Sequence, residues 1–218
     1  MRLATFKVLI TLGILGWSNW WMLVAFGAEP GVWSSEATSI RSYIDRERKL
    51  EISSPDKRKI VIVDGVRIAV MSNRKPLLET EDTGVGALAE LAWAPDSLSF
   101  FVTESDGGIV GRWDTWVYLV ENNQVRRVHI TEDVAKRFKR HYQCDEPEEP
   151  NVAGGKWMHG SQQLLLIAEV PSHSSCPEMG KVEGYIVAVP SGKILEEMDK
   201  KKLMMNWGKY LGQRLQGE

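Results

Sequence analysis

The segment Leu50–Val63 (LEISSPDKRKIVIV) returns as Glu90–Glu104 (ELAWAPDSLSFFVTE) and, more loosely, as Gly155–Glu169 (GKWMHGSQQLLLIAE). Each copy reads as a strand, a tight polar turn and a second, more apolar strand. The period, read from Pro55 to Pro95, is about 40 residues, a length at which repeat proteins complete one small antiparallel sheet. A chain patterned this way is expected to be mainly β.

Within the first repeat Leu50-Glu51-Ile52 alternates, Ser54-Pro55-Asp56-Lys57 supplies turn chemistry, and Lys59–Val63 is a β-branched run. Asp64-Gly65 separates it from Val66–Met71, a hairpin signal that predicts a type I′ turn with positive φ at both central residues. Lys75–Glu79 adds a fourth, edge strand. In the second repeat the strands are Leu88–Ala94, Leu98–Thr103, Thr115–Val120 and Gln124–His129. The turn Pro95-Asp96-Ser97, the glycine-rich loop Ser105–Gly111 and the turn Asn122-Asn123 separate them. In the third, Lys156-Trp157-Met158 leads through Gly160-Ser161 to Leu164–Val170, and Val182–Val189 and Lys193–Glu197 complete the set.

The spacing from Trp93 to Trp157 exceeds one period by about 24 residues, which marks an insertion between the second and third copies. Thr131–Tyr142 fills about half of it as a helix. Thr131 is its N-cap. Glu132 and Asp133 in the first turn and Lys136, Arg137, Lys139 and Arg140 in the last suit the helix dipole. Val134, Phe138 and Tyr142 form its apolar stripe. Ahead of the repeats, Trp33, Ile40, Tyr43 and Ile44 predict one face of a short helix starting near Ser39. Beyond them Asp199 caps a terminal helix, Asp199–Leu211, expected to cover a sheet edge. The organisation expected is therefore an export segment (1–28), a lead-in (29–48), the repeat domain (49–198) and a C-terminal helix and tail (199–218).

The N-terminus carries Arg2 and Lys7, then an apolar run, then the small residues Ala25, Gly27 and Ala28 ahead of Glu29-Pro30. That order is a secretory signal, with cleavage expected after Gly27 or Ala28. The competing reading is an uncleaved anchor, since the stretch Val8–Ala28 is long enough to span a bilayer. Either way the remainder lies outside the cytoplasm, periplasmic or extracellular. Of 27 basic residues, removal of Arg2 and Lys7 leaves 25 against 29 acidic ones, a formal charge of −4. That balance excludes the usual basic nucleic-acid binder.

The phrase Trp93-Ala94-Pro95-Asp96-Ser97, with the apolar run after it, resembles the W-S-P-D-G signature of TolB-like and WD40-like β-propeller repeats. Ser54-Pro55-Asp56-Lys57 is similar without the tryptophan. Lys57 and Ser97 replace the turn glycine of the family pattern, and the third copy lacks Pro-Asp. The resemblance implies four-stranded blades that bind proteins or scaffold appended enzymes. Closed propellers have four to eight blades, so three imply an open, partial propeller-like array with an interblade helix and a C-terminal helix.

The two cysteines, Cys144 and Cys176, predict one disulfide in an exported chain. The alternative uses the pairs His141/Cys144 and His173/Cys176 as a Cys2His2 zinc set. No G-x-S-x-G motif is present, and the chain holds four histidines, so an enzyme is not expected and no cofactor is assigned. Trp113 and Trp116 are three apart on a strand and face opposite sides. With Asp106, Gly107 and Gly108 of the glycine loop and His173 and Glu178 of the later loop they define the candidate binding surface. The function expected is a non-enzymatic binding or scaffold protein of a bacterial-type envelope, whose partner is another envelope protein. Zinc binding and an anchored structural role are the alternatives. Oligomerisation is left open, and membrane contact is expected only if residues 1–28 are retained.

Overall fold

The structure, a computed structural model, describes residues 29–41, 49–80, 85, 86, 88–121, 123–144 and 148–216. The export segment, Tyr43, Ile44 and the first part of the acidic run at Asp145 lie outside the described residues. The chain is mainly β and forms three antiparallel sheets. Strand β1 (Thr38–Arg41) comes first and joins the second sheet. The first sheet is β2 (Leu50–Ser53), β3 (Lys59–Asp64), β4 (Arg67–Ser72) and β5 (Lys75–Thr80). The second is β6 (Leu88–Trp93), β7 (Ser99–Ser105), β8 (Trp113–Glu121) and β9 (Gln124–His129), with β1 on the free side of β6. Helix α1 (Glu132–Phe138) precedes the third, β10 (Asn151–Met158), β11 (Gln163–Glu169), β12 (Val182–Ala188) and β13 (Ile194–Asp199). Helices α2 (Lys200–Trp207) and α3 (Gln213–Gln216) follow.

The helix expected from Ser39 is instead the strand β1. Thr38 and Ile40 are β-branched, and in the register Thr38↔Leu91 to Arg41↔Leu88 the strand pairs the otherwise bare edge of β6. Ile40 then enters the core between the first and second sheets. The Asp64-Gly65 hairpin has a two-residue loop as expected, but shifted by one position and of a different type. Asp64 pairs with Arg67, so the loop residues are Gly65 and Val66, and only Gly65 has positive φ, 61°. Glycine at the first central position is the type II′ pattern.

The first two repeats fold alike in detail. Ser54 N donates to Lys59 O at 2.8 Å and Lys57 N to Ser54 O at 2.9 Å; one period on, Ala94 N donates to Ser99 O at 2.8 Å and Ser97 N to Ala94 O at 3.0 Å. Asp56 Oδ1 accepts from Arg58 N and Asp96 Oδ1 from Leu98 N. Lys57 (φ 59°) and Ser97 (φ 62°) sit in the left-handed region, the conformation for which the resembled pattern carries glycine.

The sheets are joined through the repeat tryptophans. Trp93 Nε1 donates to Ile52 O of β2 at 3.0 Å, and Trp157 Nε1 donates to Ala92 O of β6 at 3.0 Å. Ile52 and Ala92 are the same position of successive repeats, so each indole bonds the preceding sheet at one equivalent carbonyl. The first repeat has Ser53 where the others have tryptophan.

Alternation divides each central strand between two interfaces. Phe100 and Val102 of β7 face Val61, Val63, Ile68 and Val70 of the first sheet, while Phe101 faces the third. On β11, Leu164 and Leu166 pack towards the second sheet, together with Val134 and Phe138 of α1. Leu165 and Ile167 face the other way, under Leu203 of α2. Helix α2 therefore covers the outer face of the third sheet, not its edge, and this double burial explains the unbroken apolar run Leu164–Ala168. Asp199 caps α2 as expected, accepting from Lys202 N at 2.7 Å. The helix ends at Trp207, short of Leu211. Thr131 makes no capping bond to α1; its hydroxyl is bonded to Asp114.

The tryptophan bonds predict an ordering of stability losses. Trp157→Phe, at a buried joint, lowers unfolding stability by about 1–3 kcal/mol, and Trp93→Phe, half-buried, by about 1 kcal/mol or less; urea midpoints that fail to separate the two would contradict these roles. Lys57→Gly relieves a left-handed side chain and raises stability by about 0.5–1 kcal/mol. Ser97→Gly gives no such gain, because it removes the hydroxyl that accepts Asp56 N at 3.0 Å.

Candidate functional site

The lead-in segment is fixed by a buried carboxyl. Glu90, on β6, accepts Trp33 N at 2.9 Å through Oε2, and the N–H groups of Val32 and Ser34 also favour its charge. Burial outweighs them and pushes its pKa up to about 8. Its Oε1 is buried with no hydrogen-bond partner among the described residues. The C-terminal tail closes over the same segment. Gly212 N donates to Trp33 O at 2.7 Å and Arg214 N to Val32 O at 3.2 Å. A Cβ on Gly212 would lie 2.1 Å from Val32 O, so only glycine permits this approach.

A second buried chain links the sheets at the end where β6, β8 and β10 begin. Asn151 Oδ1 accepts Trp113 N at 2.9 Å, and Asn151 Nδ2 donates to Glu169 Oε2 at 2.7 Å. Arg214 closes it with Nη2 2.8 Å from Glu169 Oε2, its guanidinium 4.7 Å from the centroid of the Trp33 ring. Thr115 Oγ1 donates to Val152 O, and Gly154 N to Thr103 Oγ1, both at 2.9 Å.

The candidate binding surface is brought together in part. Trp113 is buried against Trp33, with ring centroids 6.0 Å apart, so it belongs to the core and not to a surface. Trp116, on the opposite face of β8, is half-buried. Asp106 is spent on loop structure, accepting Arg112 N at 2.8 Å, and Gly107 N donates to Ser105 Oγ at 3.3 Å. Gly108 opens a short 3₁₀ turn, Gly108–Val110. In the later loop His173 is exposed and Glu178 half-buried, its Oε1 3.5 Å from Gln143 N. Arg214 reaches both loops, 3.5 Å from Ile109 O and 3.5 Å from Ser172 Oγ. They therefore share one end of the molecule, where the sequence had paired them only by analogy between repeats.

Sequence reasoning missed the cluster around Trp116, because its members come from β7, β8, β9 and the residue before α1. Arg127 lies over the Trp116 ring, 3.7 Å from Cζ to centroid, and His129 stacks on it at 4.4 Å. Arg127 also bonds Glu104 at 2.9 Å, although burial raises the Glu104 pKa. Asp114 Oδ2 lies 2.8 Å from His129 Nε2, while Thr131 Oγ1 donates to Asp114 Oδ1 at 2.5 Å and lies 2.8 Å from the same His129 Nε2. A relay needs the acid and the hydroxyl on different ring nitrogens. Here both meet one nitrogen, which makes a brace between β8, β9 and α1.

Cys144 and Cys176 form the expected disulfide, with Cα atoms 4.7 Å apart. It closes a loop worth about 3.7 kcal/mol in the chain-entropy account. Both sulfurs are thereby committed, so the Cys2His2 set is not assembled. His141 instead faces Glu183 (Nδ1 to Oε2, 2.7 Å) and Glu197 (Nε2 to Oε1, 3.5 Å). That trio has a spacing able to hold a cation, yet its carboxylates already have partners. Arg137 bonds Glu197 at 2.8 Å, Tyr185 donates to Glu183 at 2.6 Å, and Lys181 lies 3.9 Å from Glu183. The local charge is balanced by the protein.

The joint of the second and third sheets encloses a cavity of about 70 Å³ beside Trp93 and Trp157, far below the roughly 300–1,000 Å³ of organic-ligand sites. No family model matches the chain, and no curated protein matches it. Among solved structures, Kuenenia stuttgartiensis hydrazine synthase is similar at a TM-score of 0.30 and 12% identity, over 68% of this chain. The chain spans 48% of that one. A likeness at this level carries no argument about fold or activity.

Glu90 gives a pH signature. Its folded pKa, about 8, lies above the ordinary 4.5, so its contribution to stability is fully present below pH 4.5 and is lost as pH rises through 8. Glu90→Gln is expected to raise the melting temperature at alkaline pH and to match the parent protein near pH 4.5. Parallel melting curves for the two across that range would mean that the parent carboxyl titrates normally.

Proposed function

We propose that this chain is an exported, non-enzymatic binding or scaffold protein, with three sheets acting as blades of an open, partial β-propeller related in plan to TolB-like and WD40-like repeats. The observation that carries this reading is the recurrent tryptophan bond between equivalent positions of successive repeats, a device that sets sheets face to face in series. The third sheet is capped by α2 and the tail, which supports an array that stops at three. The Cys144–Cys176 disulfide supports an oxidising compartment. Among the described residues no helix is long and apolar enough to cross a membrane.

The binding surface in this reading is the end bearing loops 105–112 and 171–181, with Asp106, Gly107, Gly108, His173 and Glu178. Trp116 borders it through the Asp114–His129 brace, and the partner is another envelope protein. Intact mass of the protein recovered from an expressing cell tests the proposal. Loss of the segment ending at Gly27 or Ala28, a mass two protons below the reduced value and refusal of alkylating reagent are expected. Two alkylatable cysteines with a zinc-sized excess in the native spectrum would replace it with the metal reading, and full retention of residues 1–28 would make the protein envelope-anchored.

A further inference from the structure

The three sheets share a polarity. The Asp56 turn of the first sheet is bonded to Ser97 in the turn of the second (Asp56 N to Ser97 Oγ, 3.0 Å), so these two turns lie at one end. The β3–β4 and β7–β8 connections then lie together at the opposite end. Arg214, bonded to both Ile109 O and Ser172 Oγ, places the β11–β12 connection there as well. Among the described residues seven large apolar side chains are exposed, and four occupy these three equivalent connections. They are Val66 (54%), Ile109 (65%), Val110 (64%) and Met179 (58%). Each tip has glycine beside it (Gly65 before Val66, Gly108 and Gly111 around Ile109-Val110, Gly180 after Met179), and Arg67 and Arg112 follow the first two within two positions. Arg112 is half-exposed beside Asp114 at 3.5 Å, while Lys181, after Met179, is spent on His141 O and Glu183. Of the neighbouring acids, Asp64 is held by Lys49 at 3.1 Å and Asp106 by Arg112 N, while Glu178, beside Met179, has Oε1 3.5 Å from Gln143 N.

The chain also enters the described structure at this end. Arg41 pairs with Leu88, which pairs with Ser105 at the start of the glycine loop, and Glu29 is bonded to Arg41 at 3.1 Å. The sequence before Glu29 is the apolar segment with Arg2 and Lys7 near its start.

From this placement we propose that the loop end of the molecule lies against a phospholipid bilayer, with Val66, Ile109, Val110 and Met179 dipping into the interface and Arg67 and Arg112 at the level of anionic headgroups. Small aliphatic tips on glycine-flanked loops enter the headgroup boundary without unfolding the sheets behind them, and cationic neighbours add attraction to anionic lipid. The proposal rests on the export reading alone, and it gives the loop end to the bilayer in place of an envelope protein. It holds for a retained N-terminal segment, which would emerge facing the same bilayer, and for a removed one.

The test labels single introduced cysteines with an environment-sensitive fluorophore under non-reducing conditions, the native pair being closed. Val66→Cys and Val110→Cys report on the proposed face, and Leu98→Cys, equally exposed at the opposite end, is the control. The protein as recovered is bound to vesicles of phosphatidylethanolamine and phosphatidylglycerol, with spin labels on the acyl chains. Blue-shifted emission that the labels quench at positions 66 and 110 but not at 98 is expected, weakening when the anionic lipid is left out. No quenching at 66 and 110, or equal quenching at all three positions, would overturn the proposal. A blue shift at 66 and 110 that needs added envelope protein and resists lipid quenching would also overturn it, in favour of a protein partner. Protein that has lost residues 1–28 is expected to show the same positional contrast, and absence of the contrast in that form would overturn the proposal. Failure of the export reading appears separately, as free thiols in the intact mass.

Discussion

A single hydrogen bond used twice holds the sheets in order: an indole N–H given to a main-chain carbonyl of the sheet before it. The bond does two things at once. It gives a main-chain carbonyl a donor from the next sheet, and it inserts a large flat side chain that fixes how far one sheet is displaced along the next. Burial of Val61, Val70, Phe100 and Leu164 then supplies bulk hydrophobic stabilisation, but such contacts are not directional. The direction comes from Trp93 and Trp157, and from the threonine and asparagine bonds at the other end of the second joint.

The two sides of the array are closed by different physics. At the third sheet, α2 covers the outer face with Leu203, and the tail turns back through Gly212 to lie on residues 32 and 33. That arrangement buries Glu90 against the main chain of the lead-in. Burial keeps the carboxyl uncharged there by outweighing the backbone N–H groups that favour its charge, and this makes the clasp sensitive to pH. At the first sheet no tryptophan reaches outward, since Ser53 stands in its place. One side of the array therefore lacks the joining indole, and the other lies under a cap.

The functional surface follows from this polarity. Turns of the Pro-Asp type gather at one end and are consumed by inter-sheet bonds. The β3–β4, β7–β8 and β11–β12 connections gather at the other end, where they carry exposed apolar tips. The disulfide orders the longest of them by joining it to the segment after α1. Arg214 spans two of these connections while its main contact, Glu169, is buried, so the C-terminus stabilises the same end that the lead-in approaches.

The repeat, its turns, the disulfide and the α1 stripe were legible in the sequence because each is a local pattern or an obligatory pairing. Alternation marks a strand wherever it occurs, Pro-Asp marks a turn, and two cysteines in an exported chain have one partner each. Reading failed where the deciding neighbour was distant. Ile40 looked helical beside Tyr43 and Ile44, yet a bare strand edge of the second sheet made it a strand. Trp113 looked available beside a glycine loop, yet Trp33 and the tail covered it. Thr131 looked like a cap, yet Asp114 took its hydroxyl. By itself the sequence determined the strands of the three repeats and how many sheets they make, because backbone preference and side-chain alternation act over a few residues. Only the tertiary structure decided which faces are dry, which end collects the exposed tips and which polar groups are spent, because those depend on what packs across a joint from residues tens of positions away.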